Sequence, residues 1–117
     1  MRTIEFYRTA FGDCPIDEFL DSLSDRDAQK VAWVLRLVER LEIVPPQYFK
    51  KLVDKDDLWE VRAQMGGNSY RLLGFFENSR LLVLTNGFAK KQQKTPTKEM
   101  ELARKRRAEH LKRRLKK

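Results

Sequence analysis

The chain has 117 residues, of which 41% are hydrophobic, and it carries a formal net charge of +8. This length predicts one domain spanning residues 1–117, and the basic balance favours a polyanionic partner such as nucleic acid. The only cysteine is Cys14, which excludes an internal disulfide bond and a cysteine-based zinc site. Because neither an apolar signal core nor a run of ~18 apolar residues occurs, we expect a cytoplasmic protein with no membrane partner.

The first half of the chain predicts one strand followed by two helices. Residues 3–8 alternate between apolar and polar side chains, which is typical of a strand. Pro15 suits the first turn of a short helix, and Ser24 is a favourable N-cap for a second one. Apolar residues recur at three- and four-residue spacing over 28–41, so the second helix is predicted to be amphipathic. The Val-Pro-Pro sequence at 44–46 ends it.

The second half predicts a meander of strands and a final helix. Residues 47–57 form a polar connection, and the strands follow at 58–65, 70–76 and 81–85. A helix of roughly twenty residues begins at Thr95-Pro96. The order β-α-α-β-β-β-α predicts an α+β domain in which a small antiparallel sheet carries a helical pair on one face, with a basic C-terminal helix at residues 97–117.

Positive charge is concentrated at the end of the chain. Residues 90–117 contain 13 Lys and Arg but only 3 Glu, so this stretch has a net charge of +10 and the remainder has a net charge of −2. The C-terminal helix is therefore predicted to contact phosphate, with Arg113 and Arg114 as RNA-binding residues. Lys50 and Lys51, in the polar connection, are further candidates for RNA contact.

The meander is predicted to carry a cationic patch. In the strand at 58–65, alternation places the odd-numbered apolar side chains under the helices and Glu60 and Arg62 on the opposite face. Arg71 lies on the next strand across a tight turn, so the two arginines can be neighbours. With Lys90 and Lys91 they would form a concave cationic patch on the open face. The simpler alternative is that Glu60 makes ordinary surface ion pairs with these arginines.

Other candidate sites in the sequence are weak. The acidic run at 54–57 could hold Mg²⁺, but a solvated loop is the commoner case, and we expect no metal and no cofactor. His110 is the only histidine, so an acid–base pair of histidines is excluded. Cys14 is predicted to pack as a small hydrophobe. Catalysis, if present, must therefore use Arg, Lys, Glu or Tyr.

Metal-free RNA cleavage fits this set of residue types. The ribose 2′-OH attacks the adjacent phosphate, so the substrate supplies the nucleophile and the protein orients the RNA and stabilises negative charge. Arginine binds phosphate oxygens in a bidentate manner. A lysine, with an ordinary pKa of about 10.4, could act as the acid, or as the base if neighbouring cations lower its pKa.

Several segments resemble the RelE/ParE toxin superfamily, in particular its phage-derived Gp49-like, HigB-type toxins. The resemblance is carried by LWEVR at 58–62, YRLLGFF at 70–76, LLVLTNGFAKKQQKTP at 81–96 and KEMELARKR at 98–106. It follows the element order of the whole chain and is weak before residue 50. The resemblance implies a RelE-like toxin of a type II toxin–antitoxin module, a ribosome-dependent mRNA endonuclease (mRNA interferase) that inhibits translation. It also implies as partners a helix-turn-helix antitoxin, the ribosome with its rRNA and mRNA, and operator DNA through the antitoxin.

The family pattern also suggests site residues. The arginines of the Trp-Glu-x-Arg and Tyr-Arg strands fall on Arg62 and Arg71, and the paired lysines fall on Lys90 and Lys91, so these four are the predicted catalytic residues. The resemblance places an aromatic residue and a third lysine of the RNA-binding segment at the positions Phe88 and Lys94.

The chain departs from the family pattern at two positions of this segment. Gln92 stands where threonine is usual, and Ala89 stands where a larger apolar residue is common. Neither departure removes a charged group. Two alternatives stay open: a catalytically inactive relative that binds RNA or antitoxin, and a ParE-like inhibitor of gyrase. The four retained cations favour the nuclease.

Overall fold

The structure is a computed structural model and describes residues 1–53 and 57–116. Over these ranges the chain forms an α+β fold, as predicted, with five strands and three helices. In chain order they are β1 Thr3–Phe6, α1 Pro15–Asp21, α2 Asp25–Arg40, β2 Phe49–Lys51, β3 Trp59–Met65, β4 Asn68–Phe76, β5 Leu81–Ala89 and α3 Thr97–Leu115.

The strands form one mixed sheet in the order β1-β5-β4-β3-β2. β3, β4 and β5 pair in antiparallel fashion as expected, and β2 adds to β3 in the same sense, whereas β1 runs parallel to β5. β2 was not predicted, because a three-residue edge strand with two lysines lies inside the polar connection and shows no alternation. The parallel orientation of β1 also differs from the prediction of an antiparallel sheet. The pairing of β1 with the last strand depends on long-range contacts, which the local sequence pattern does not indicate.

The first helices form where local signals place them. Ser24 caps α2, with its Oγ accepting a hydrogen bond from the Asp27 N–H at 3.2 Å. The Asp27 carboxylate is buried and accepts hydrogen bonds from the Tyr70 hydroxyl and the Asn68 amide. These bonds attach the start of α2 to the β3–β4 hairpin.

The main core lies between the helical pair and one face of the sheet. Val61 and Ala63 of β3 are buried there with Trp59 packed beside them, which confirms the predicted face. The buried members of this cluster are Ile16, Val31, Val34, Leu35, Val38, Phe49, Val61, Ala63, Tyr70, Leu72, Leu82 and Leu84.

Helix α3 covers part of the opposite face, over β4 and β5. Met100 and Ala103 are buried against Leu58 and Leu73, and Leu111 packs on a cluster that includes Phe75. The helix is therefore a packed element on that face. It does not cover β2 and the adjoining end of β3, where a groove remains open. No helix in the described ranges has an apolar stretch long enough to cross a bilayer.

A bulge in β5 decides which residues face α3. The pairing register with β4 shifts between Leu73 and Gly74, so Thr85 is the extra residue. Leu84 consequently contacts the core under α1 and α2, while Phe88, also even-numbered, packs under α3. β5 continues to Ala89, four residues past its predicted end.

Candidate nucleic-acid interface

An open groove of about 630 Å³ lies between β2, β3 and the segment 90–97 that leads into α3. Its lining, within the described part of the chain, contains five cationic side chains and the single carboxylate of Glu60. The cations are Lys50, Lys51, Arg62, Lys90 and Lys94. The groove therefore has an excess of positive charge, which suits a polyanion.

Arg62 and Arg71 are directly opposite each other in the β3–β4 register, which confirms that they are neighbours. Like charges in this position destabilise a sheet. Glu60 offsets the repulsion, because its Oε1 lies 2.9 Å from Arg62 Nε and 3.3 Å from Arg71 Nε. Its side chain is 0% exposed, so these are buried ion pairs and differ from the surface pairs of the simpler alternative.

Arg71 is held from several sides. Its Nη1 donates to Ser69 Oγ at 2.9 Å and to the Tyr70 carbonyl at 3.0 Å, and the side chain is only 14% exposed. Burial lowers the pKa of Arg71, and the charge on Arg62 lowers it further, while Glu60 opposes both effects. Arg71 is therefore a preorganised cation with little freedom to reorient.

Lys90 and Lys91 differ in their surroundings. Lys90 lines the groove, and its backbone N–H donates to the Ser69 carbonyl at 2.8 Å. Burial lowers the pKa of Lys90, and the charges of Arg71 and Arg62 add to this lowering, while Glu60 opposes it. Lys91 is exposed and does not line the groove. The structure thus brings Lys90, and not Lys91, together with the two arginines.

Thr95 closes the end of the site. Its hydroxyl donates to Oε2 of Glu60, which connects the lysine-bearing segment to the floor of the groove. Glu60 therefore binds both arginines and the start of α3. From the sequence, Thr95 was identified only as a helix-start residue. The signal that a polar partner of Glu60 was needed is the strand pattern itself, which puts the Glu60 carboxylate on the same face as Arg62 and Arg71.

The other RNA-binding candidates are placed unevenly. Lys50 and Lys94 are exposed and line the groove. Lys51 also lines it and forms an ion pair with Asp57 at 2.9 Å. Phe88 is opposite Arg71 in register, and its partly buried ring packs against the buried cluster under α3.

Arg113 and Arg114 lie near the other end of α3. Arg114 Nη2 contacts Glu5 Oε2 at 2.8 Å, and its Nε donates to Glu77 Oε2 at 3.1 Å. Arg113 Nη2 donates to the Arg8 carbonyl at 2.6 Å. At ~1.5 Å per residue, Arg114 is about 20 Å along the helix from Met100 at the groove. The structure does not bring these two arginines together with the groove cations.

One group of side chains in the described ranges has metal-ligand spacing: Glu5, Glu77 and His110, whose ligand atoms lie within 4.8 Å of one another. Arg114 already contacts both carboxylates, so their charge is offset within the protein. The acidic run considered for Mg²⁺ includes residues 54–56, which lie outside the described residues. Cys14 is buried as predicted, and burial raises its pKa.

Comparison with known proteins assigns the chain to a family. The family model described as "Phage derived protein Gp49-like (DUF891)" matches residues 18–108, which include every groove cation but not Arg113 or Arg114. The chain therefore belongs to the Gp49-like family, a toxin-like family of the RelE/HigB type that is associated with toxin–antitoxin systems. No curated protein matches the chain significantly.

Proposed function

We propose that this protein is the toxin of a type II toxin–antitoxin module and that it cleaves translated mRNA at the ribosome. The observation that carries the proposal is the direct pairing of Arg62 with Arg71, at the edge of a groove that Arg62 and Lys90 line. Among the described residues of that groove, cations outnumber carboxylates. A helix-turn-helix antitoxin encoded next to it would neutralise it and would supply the contact with operator DNA. The site of action is the cytoplasm, where mRNA is translated.

The proposed reaction needs no metal. The 2′-oxygen of one nucleotide bonds to the adjacent phosphorus, the bond from phosphorus to the 5′-oxygen breaks, and the products are a 2′,3′-cyclic phosphate and a 5′-hydroxyl. The proton of the 2′-OH passes to a base, and an acid protonates the leaving 5′-oxygen. Arg62 and Arg71 stabilise the extra negative charge on the phosphorus oxygens, an interaction that contributes roughly 10²–10³ in rate for a single preorganised donor.

Lys90 is the candidate for proton transfer within the groove. Because burial lowers its pKa, a larger fraction of Lys90 is neutral near physiological pH than for a free lysine, which favours a role as base. Glu60 is fully buried, and its oxygens contact Arg62, Arg71 and Thr95. It therefore serves as a positioning residue.

The test is expression without antitoxin beside two reporter transcripts, one translated and one lacking a start codon. Primer extension should show new 5′ ends only in the translated transcript. Arg71→Ala and Arg71→Lys should each remove most cleavage, because the first removes the charge and the second removes the bidentate fork.

Arg80→Ala is the matched control, since Arg80 is an exposed arginine that pairs with Glu42 far from the groove. It should cleave as the parent does, with circular dichroism showing that all variants are folded. Growth arrest by a folded Arg71→Ala protein that produces no new 5′ ends would show that arrest does not require cleavage, and would favour the non-catalytic binder. Arrest accompanied by a loss of DNA supercoiling would favour the gyrase inhibitor.

A further inference from the structure

A second depression of about 410 Å³ adjoins the groove on the far side of Arg62. Arg62 lines both spaces, while Arg71 lines only the second one and Lys90 only the first. A phosphate held by the two arginines would therefore lie at the boundary between them. The nucleotides on its two sides would extend into the groove and into this second space, which we call the Tyr48 pocket.

The aromatic wall of the pocket is the Tyr48 side chain, which is half-buried and packs on the main core. Trp33 of α2 meets the Tyr48 ring edge-to-face, with centroids 5.6 Å apart and an interplanar angle of 83°. Lys30 Nζ lies 4.5 Å from the centroid of the Trp33 ring. These contacts hold the Tyr48 ring in one orientation and place a cation beside it.

The backbone connects Tyr48 to the arginine pair. The Arg62 N–H donates to the Tyr48 carbonyl at 2.8 Å, and Arg62 Nη1 donates to the Pro46 carbonyl at 3.4 Å. Segment 46–48 thus fixes the main chain of Arg62 directly and its guanidinium more loosely. A base on Tyr48 and a phosphate on Arg62 would be positioned by the same short segment.

Apart from Ala63, the rest of the described lining is polar. Gln47 and Gln64 are exposed and line the pocket with Lys30. Among the residues that the structure describes, no carboxylate lines it. Each glutamine amide offers both a donor and an acceptor, which matches the edge of a nucleobase. A ring surface, two amides and nearby cations are the features by which proteins hold a single-stranded base.

We propose that the Tyr48 pocket binds the base of the RNA nucleotide next to the scissile phosphate. Tyr48 stacks on the base, and Gln47 and Gln64 bond to its edge and set the base preference. Lys30 contributes charge near the backbone of that nucleotide. This inference rests on the proposed function, because it assumes that the arginine pair binds the scissile phosphate.

The test is an abasic scan of a short 2′-O-methyl RNA, which lacks the nucleophile and is not cleaved. A set of oligonucleotides, each with one base removed, is titrated against the protein both free and on ribosomes programmed with that RNA. For the parent, removal of one particular base should weaken binding by roughly 5- to 100-fold, the range for one stacked base. Tyr48→Leu, which keeps core packing, should lose most of that dependence while still binding through the arginines.

Two further variants make the result specific. Tyr48→Phe keeps the ring and should behave as the parent, and Phe11→Ala removes an aromatic side chain that is 94% exposed elsewhere and should change nothing. If the parent and Tyr48→Leu bind RNA normally, depend on Arg71 and show the same abasic profile, the Tyr48 pocket does not bind a base. The proposed function would then stay intact. Absence of RNA binding in both settings would overturn both proposals.

Discussion

Arginine side chains lie beside buried or half-buried carboxylates near both ends of α3, but the balance of charge differs between the two ends. At the groove, the described lining sets five cations against the single carboxylate of Glu60. At the other end, Arg114 meets Glu5 and Glu77, and His110 Nε2 lies 2.7 Å from Glu77 Oε1. The first end keeps positive charge available for a ligand, whereas the second neutralises it within the fold.

This difference shows that charge along the sequence is a poor guide to charge available for binding. Residues 90–117 carry a net charge of +10, which exceeds the +8 of the whole chain, yet several of their arginines contact the rest of the protein. Arg106 Nη1 donates to the Thr85 carbonyl at 2.8 Å, Arg114 binds two glutamates, and Arg113 lies over the Tyr7 ring at 5.2 Å. These interactions hold α3 on the sheet, so they have a structural role whatever else the helix binds.

The largest expected effect is on stability when Glu60 is removed. Glu60→Ala leaves Arg62 and Arg71 facing each other with no counter-charge and deletes the bond to Thr95. We expect a loss of about 3–5 kcal/mol in the free energy of unfolding, as for other broken buried pairs. Urea denaturation measures it, with Glu42→Ala as a control at a surface ion pair. A loss below about 1 kcal/mol would show that the carboxylate does not hold the arginines in place.

Arg114→Met should have a smaller effect, confined to stability. Its partners are partly exposed, so the pairs are screened by solvent and we expect a loss of roughly 1 kcal/mol. Toxicity and RNA binding should be unchanged if this end of α3 is structural. Weakened binding by a stably folded Arg114→Met protein would instead support the sequence-based prediction that the tail contacts RNA.

Salt dependence compares the two ends directly. Removing one cation that binds a phosphate of single-stranded RNA should reduce the slope of log K against log salt by about 0.7. Lys50→Ala and Lys94→Ala should each produce this change, because both side chains are exposed in the groove. Arg113→Ala combined with Lys116→Ala removes two charges at the other end and should leave the slope unaltered. Equal changes at both ends would mean that RNA follows the whole helix.

The smallest effect is the dependence of stability on acid pH. Burial alone would raise the pKa of Glu77, but hydrogen bonds from His110 and Arg114 lower it below its usual range. A lowered folded-state pKa gives stability that is complete above the ordinary glutamate pKa of about 4.3 and is lost as pH falls through the folded value. Thermal melts between pH 6 and about 3 should therefore decline less steeply for Glu77→Gln. An identical decline in the variant would contradict the assignment.

Local pattern was sufficient for much of the fold and for the centre of the site. The Ser24 cap, the apolar spacing of α2 and the alternation of β3 all predicted the observed elements, because each depends on residues a few positions apart. The same alternation, with a tight turn, predicted that Arg62 and Arg71 are neighbours. Side-chain period and hairpin geometry are local properties that a sequence states directly.

The tertiary structure decided what depends on distant partners. β1 runs parallel to β5 because strands at the two ends of the chain meet, and β2 exists because β3 pairs with it. The bulge at Thr85 directs Phe88 toward the cluster under α3, where its ring is partly buried. The Tyr48 pocket combines residues of α2 with residues of the strands. Lys90 and Lys91 are adjacent in sequence, but Lys90 is partly buried and has a lowered pKa, whereas Lys91 is exposed. Three-dimensional packing decides which of many similar cations remains accessible to a ligand, and composition alone does not predict it.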